Sequence, residues 1–160
     1  MDALTFATLL AACAPMVHPH TAHALVQVES GFNPNAIGVV GGALARQPRS
    51  TAEALTTAAD LQTAGRNFSL GLAQINVGNL PRLGLRLADA LDGCHNLRAM
   101  QTVLGECFRR AGGDADPQRN LRRALSCYYS GNFATGFRHG YVGRVVAAGK
   151  TPAIVRGPPG

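Results

Sequence analysis

Three short segments hold residue types and spacings that could do chemistry. The first runs from Ala22 to Gly31 and ends in Glu29-Ser30-Gly31. Ala22, Leu25 and Val26 lie seven, four and three residues before Glu29, so on a helix they share its face. A carboxylate there is close to apolar side chains and sits at the negative end of the helix dipole. Both effects disfavour the charged form and raise the pKa. A raised pKa is what a general acid needs near neutral pH. Taken alone, the segment also suits a surface glutamate that swings out to water beyond the last turn.

The second segment is Ser69-Leu70-Gly71-Leu72-Ala73-Gln74-Ile75-Asn76. A glycine inside a strand marks close approach of a ligand or another backbone. On an extended chain Gln74 and Asn76 point to one side. Their amides can donate and accept hydrogen bonds, as sugar hydroxyl and acetamido groups require. An ordinary polar edge strand would look the same. The third segment, Ala124 to Asn132, ends a helix with Tyr128 and Tyr129. A tyrosine offers sugar rings a flat apolar face plus a hydroxyl, although a core tyrosine would fit equally well.

Glycoside cleavage by water usually needs two carboxylates. The acidic residues are Asp2, Glu29, Glu53, Asp60, Asp89, Asp92, Glu106, Asp114 and Asp116. None falls between Asn33 and Gln47 or between Phe68 and Ile75, the stretches expected to face Glu29 across a cleft. If Glu29 is catalytic, it works without a carboxylate opposite, and the substrate itself must supply the second nucleophile.

The elements that would position these residues are mostly helical. Helices are expected over about 2–12, from Pro19 to Gly31, from the capping box Ser50-Thr51-Ala52-Glu53 to Gly65, over 94–111, from Asp116-Pro117 through Tyr128, and over 141–148. The helix over 94–111 carries Leu97, Met100, Leu104, Cys107, Phe108 and Ala111 at helical spacing. Residues 36–40 and 43–45 flank Gly41-Gly42 as a hairpin, and Phe68 to Ile75 reads as one further strand. A loop with Asn79, Pro81 and Gly84 follows. The pattern is α+β: helices around a small antiparallel sheet beside a cleft. Residues 1–150 form one domain, and 151–160, rich in Pro and Gly, form a flexible tail.

The chain has 160 residues, 46% hydrophobic and 15% charged, which excludes a disordered polyelectrolyte. The net charge is +6. A basic surface suits any polyanion. Arg109, Arg110, Arg119, Arg122 and Arg123 form the densest basic group, read as a solvated helix face. No nucleic-acid motif accompanies them, so no nucleic-acid partner is expected. No apolar run reaches the roughly 18 residues of a membrane span. Ala3 to Pro15 is apolar but short and lacks a basic leader, so it reads as a core helix rather than an export signal. Four cysteines occur without a Cys-x-x-Cys pair, so no metal site is expected. Cys94 and Cys107 flank one helix, roughly 20 Å apart, and cannot bond to each other. Cys13 and Cys127 could each pair with either, or all four could be buried thiols.

Glu29-Ser30 after an apolar helix, Gly71-Leu72-Ala73-Gln74-Ile75, Ala124 to Gly131, and Tyr141-Val142-Gly143-Arg144-Val145 together resemble, in this order, the motifs of soluble lytic transglycosylases. The finer resemblance is to the lytic transglycosylase component of type IV secretion systems. It rests on Val28 to Pro34, Asn67 to Gly71 and Ser126 to Asn132, and covers roughly residues 5–148. Tyr129 stands where the wider family has asparagine and Ala73 where it has methionine, and both suit the secretion subgroup.

The resemblance implies a lysozyme-like fold and cleavage of peptidoglycan glycan strands between N-acetylmuramic acid and N-acetylglucosamine. Glu29 would protonate the glycosidic oxygen and then deprotonate the muramic C6 hydroxyl, leaving a 1,6-anhydro end. Ser69, Gln74, Asn76, Tyr128 and Tyr141 would contact substrate or orient Glu29, and Ser30 would hold local structure. No cofactor is implied. The implied setting is a periplasmic monomer without stable membrane insertion, working beside type IV secretion channel proteins. Two other functions compete with this one: a hydrolytic lysozyme-type muramidase, and a largely non-catalytic wall-binding assembly module.

Overall fold

The computed structural model describes residues 1–113 and 115–150, so the expected tail lies outside the described residues. Helix α1 (Ala3–Cys13) starts where the Asp2 carboxylate accepts the Thr5 N–H at 2.9 Å. It buries Phe6, Leu10 and Cys13, as expected of a core helix. Helix α2 (Pro19–Ser30) begins with proline at its first turn and stops at Gly31, whose φ of 60° is the left-handed cap. Helix α3 (Thr51–Thr63) is capped by Ser50, which accepts the Glu53 N–H.

The central pair is α6 (Gly93–Ala111) and α7 (Pro117–Ser130), packed on each other. Leu97, Met100, Leu104, Cys107 and Ala111 form the buried stripe of α6. Phe108, expected with them at the edge of this stripe, is instead 40% exposed. Helix α1 packs on α6, and α9 (Tyr141–Lys150) packs on α2. The short helix α8 (Thr135–Arg138), not expected from the sequence, turns the chain between α7 and α9. It lies so close to α7 that a Cβ on Gly136 would stand 2.5 Å from the Ser126 Cα.

The sheet has three antiparallel strands in the order β1 (Ile37–Val39), β2 (Phe68–Leu70), β3 (Ile75–Asn76). This corrects two sequence expectations. Strand β1 does not pair with 43–45: its partner is β2, in the register Gly38 to Ser69. On the other edge of β1 a side chain replaces a strand. The Gln47 amide accepts from Ile37 N at 2.8 Å and donates to Ile37 O at 3.0 Å. Residues 68–75 are not one strand but a hairpin. Gly71 (φ 80°) and Gln74 (φ 52°) take left-handed backbone, and the chain reverses between β2 and β3. The reversal drives Leu72 and Ala73 into the core, both with no exposed surface.

The expected loop after β3 is largely helical: a 3-10 turn (Val77–Asn79), then α4 (Leu80–Leu83) and α5 (Leu87–Ala90). Registers Gly38–Ser69 and Ser69–Asn76 put these three residues in one row on one face of the sheet. Their neighbours Ile37, Leu70 and Ile75 are buried on the other face.

Two disulfides fix the helices. Cys13–Cys94 ties the end of α1 to the start of α6, across 81 residues. Cys107–Cys127 staples α6 to α7, across 20. Both pairings obey the exclusion of Cys94–Cys107. Loop closure in the unfolded chain is worth about 4–5 kcal/mol for the long loop and about 3 kcal/mol for the short one. A Cys13→Ser/Cys94→Ser double variant is therefore expected to lower the urea midpoint more than a Cys107→Ser/Cys127→Ser variant. The reverse order would mean that native packing, not chain entropy, sets their contribution.

Candidate active site

Between the sheet and the α6–α7 pair lies a cleft of about 1170 Å³. Glu29 opens onto it from the end of α2, held there because Ala22, Leu25 and Val26 on the same helix are fully buried. Burial pushes the Glu29 carboxyl up to about 7. Two groups oppose this without cancelling it. The Tyr141 hydroxyl donates to Glu29 Oε2 at 2.7 Å, and the positive charge of Arg144 lies nearby. Tyr141 is only 2% exposed, and burial and the Glu29 charge hold its phenol well above the usual range. It therefore stays a donor across the neutral range.

Tyr128 and Ser30 reach the same short stretch of backbone. The Tyr128 hydroxyl donates to Ala73 O at 2.8 Å, and the Ser30 hydroxyl to Leu72 O at 2.7 Å. The Tyr128 hydroxyl is thus engaged inside the protein. Gln74 also departs from the sequence expectation. It does not share a side of an extended chain with Asn76, because it sits in the hairpin turn. Its Nε2 donates to Ala36 O and Gly71 O, both at 3.0 Å, which leaves Oε1 as its open group. That oxygen sits over Gly38, where a Cβ would come within 2.6 Å of it.

Asn76 donates from Nδ2 to Asn67 Oδ1 at 2.8 Å and to Ser69 Oγ at 3.3 Å, and its Oδ1 accepts from Gly78 N. Ser69, Gln74, Asn76 and Tyr128 all line the cleft with Glu29, so the structure brings the sequence-derived set together. Tyr141 stands behind Glu29, buried against it.

Several residues at the site were not among the site residues derived from the sequence, although Tyr129 was noted there beside Tyr128. Asn96 on α6 is 1% exposed and uses three hydrogen bonds. Its Oδ1 accepts from Ala73 N at 2.8 Å, and its Nδ2 donates to Leu70 O at 2.9 Å and Ala90 O at 2.7 Å. A Cβ on Gly71 would collide with this amide and with Ala90 O, which is why glycine occupies the turn. The available signal was an amide within an apolar helical stripe. Tyr129 stacks on Tyr141, with centroids 4.7 Å apart, and its hydroxyl lies 3.0 Å from His139 Nδ1. Both Tyr129 and His139 line the cleft. One further carboxylate, Glu106 on α6, reaches the cleft, bound to Arg82 Nη1 at 2.9 Å. As expected, the β wall itself carries no acid. Among the described residues no cluster of His, Cys, Asp and Glu could hold a metal ion.

The chain belongs to the Transglycosylase SLT domain family, whose model matches residues 7–146. Its helices and three-stranded antiparallel sheet beside the cleft are the lysozyme-like α+β build of that family. Among its relatives, the Type IV secretion system protein virB1 of Brucella suis biovar 1 (strain 1330) is 52% identical over 150 residues, 89% of this chain and 63% of that protein. Protein virB1 of Agrobacterium fabrum (strain C58 / ATCC 33970) is 41% identical over 140 residues, 85% of this chain and 56% of that protein. The chain thus spans about three fifths of the length of these curated relatives. No solved structure matches the chain significantly.

Two measurements check the site. Carbon-detected NMR titration of Glu29 is expected to give a midpoint near 7, and a higher one in Tyr141→Phe, because removing the donor leaves burial less opposed. A wild-type midpoint in the ordinary glutamate range would show that solvent reaches the carboxylate freely. Asn96→Ala strands Ala73 N, Leu70 O and Ala90 O in the core and is expected to cost about 2–4 kcal/mol in chemical denaturation. A cost below about 0.5 kcal/mol would mean that the loop finds other partners.

Proposed function

We propose that this chain is a peptidoglycan lytic transglycosylase domain. It cleaves the β-1,4 bond between N-acetylmuramic acid and N-acetylglucosamine and leaves 1,6-anhydromuramic ends. The observation that carries this is Glu29: a carboxyl raised to about 7, opening on the cleft, with no carboxylate on the β wall opposite.

Protonated Glu29 gives its proton to the glycosidic oxygen as the C1–O bond breaks. The resulting carboxylate takes the proton of the muramic C6 hydroxyl, whose oxygen forms the new bond to C1. Glu29 ends protonated again and no water is consumed. Tyr141 holds the carboxylate in place and stabilises its transient charge. Ser69, the open oxygen of Gln74, Asn76 and the ring of Tyr128 contact the sugars, while Ser30 anchors the end of α2 to the loop behind the site. Residues 1–150 act as one domain.

One relative is named a type IV secretion system protein; we infer that the chain opens the wall locally for type IV secretion or conjugation machinery, with glycan strands and channel proteins as its partners. Two disulfides suit an oxidising compartment, here the periplasm. Among the described residues no helix is long and apolar enough to cross a membrane.

A hydrolytic muramidase would need a second carboxylate or a held water near Glu29, and the other carboxylate lining the cleft, Glu106, is already engaged by Arg82. Digestion of purified peptidoglycan followed by mass spectrometry of the products decides between them. Wild type and Glu106→Gln are expected to release anhydro ends, about 18 mass units lighter than hydrolytic ends by the loss of one water. Glu29→Gln is expected to release none. Because the acid form starts the reaction, kcat/KM is expected to fall as pH rises through about 7. Reducing ends from wild type would establish hydrolysis, and their loss in Glu106→Gln would assign Glu106 to it. No products from folded wild type would favour an assembly role.

A further inference from the structure

The two walls of the cleft differ in chemistry. The β wall presents neutral amides and a hydroxyl: Asn67, Ser69, Gln74 and Asn76. The opposite wall, from α4 and α6, presents three guanidinium groups, those of Arg82, Arg109 and Arg110, against the single carboxylate of Glu106. Arg82 takes up that carboxylate through both oxygens, at 2.9 and 3.2 Å. Arg110 reaches the Cys127 sulfur and the Gly131 carbonyl, at 3.4 and 3.5 Å, and lies over the Phe133 ring.

Arg109 has no acidic partner among the described residues. Its side chain is nevertheless directed. It folds back along α6 over Gly105, where a Cβ would stand 3.5 Å from Arg109 Nη1. Basic residues in the last turn of α6 compensate its C-terminal carbonyls. That explains their sign but not their place on the cleft wall.

A glycan backbone of hydroxyl and acetamido groups is neutral and matches the β wall alone. Two guanidinium groups without a carboxylate have no counterpart in it. Muramic acid adds what is missing, because its lactyl ether ends in a carboxylate or carries a peptide stem that has carboxylates of its own. A guanidinium donates two parallel, charge-assisted N–H bonds to such a carboxylate, which are stronger than any it makes to the neutral oxygens of a sugar.

We propose that the α6 wall is a carboxylate subsite, with Arg109 as its principal contact, that selects glycan strands bearing pendant carboxylates over neutral ones. This rests on the glycan-cleaving role given above, but its test reads binding and not turnover. Strands are titrated into Glu29→Gln, which is not expected to consume them, by calorimetry. The probes are a chito-oligosaccharide without carboxylates, a stem-free strand with free lactyl carboxylates, and a stem-bearing strand of the same length.

The expected result is about tenfold tighter binding of at least one anionic strand than of the chito-oligosaccharide. The anionic strand that gains identifies the source as lactyl or stem carboxylate. Adding Arg109→Gln is expected to remove the advantage and Arg109→Glu to invert it, with melting temperatures checking that both variants fold. Raising the salt concentration is expected to shrink the advantage. Equal binding of all three probes, or an advantage that survives Arg109→Gln, would overturn the subsite. Wild type that fails to cut any strand while this binding difference persists would instead overturn the transglycosylase reading alone.

Discussion

The backbone between Leu70 and Gln74 is buried, and its polar groups must find partners without water. Most of the site follows from how they do so. Asn96 satisfies Leu70 O and Ala73 N from α6, Ser30 reaches Leu72 O from α2, and Tyr128 reaches Ala73 O from α7. Gln74 closes the turn on Gly71 O. One short loop thus collects side chains from three helices. The residue before Ser30 is Glu29, so the same bonds that satisfy the loop also set where the carboxylate stands.

At Glu29 two effects of opposite sign meet, and the larger decides. Enclosure by α2 and its neighbours penalises the charged carboxylate, while the Tyr141 hydroxyl and the Arg144 charge favour it. Burial wins, and the group titrates near neutrality instead of in the ordinary glutamate range. The partial compensation has chemical use. An acid with no compensation would not give up its proton, and one fully compensated would have none to give near neutral pH. The compensating groups come from α9, 112 residues along the chain from Glu29, and the packing of α9 on α2 makes the balance possible. Tyr129 stacks on Tyr141 and ties it to the cleft surface that a substrate would touch.

The rigidity of this arrangement comes from the helices more than from the sheet. Strands of two or three residues contribute little stability of their own. They are held by Gln47 on one edge and by the buried hairpin turn on the other. The disulfides fix α6 against α1 and α7, and Cys107 and Cys127 themselves line the cleft. The wall that carries Glu106, Arg109 and Arg110 is therefore stapled to the helix that carries Tyr128. A cleft with one neutral and one basic wall is what this construction leaves between the sheet and the α6–α7 pair.

The sequence by itself determined the long helices, because their caps and apolar spacing are local. Asp2, Pro19, Gly31, Ser50 and Asp116 stand where the expected helix ends fall. It also placed Glu29 at the end of an apolar helix face and showed that the β segments carry no acid, but left open whether that carboxylate is buried. Only the tertiary structure decided the strand pairing. Residues 36–40 carry no information about a partner some thirty positions away, and a glutamine side chain could replace the hairpin arm that the Gly-Gly pair suggested. It likewise decided that 68–75 folds back on itself. Asn96 helps to hold that turn, and its amide can meet Leu70 O and Ala73 N only once α6 is in place. The role of Asn96, the stacking of Tyr129 and the guanidinium wall are all relations between distant segments. Hydrogen bonding and burial act through space, and a local pattern records only the half of each contact that lies within it.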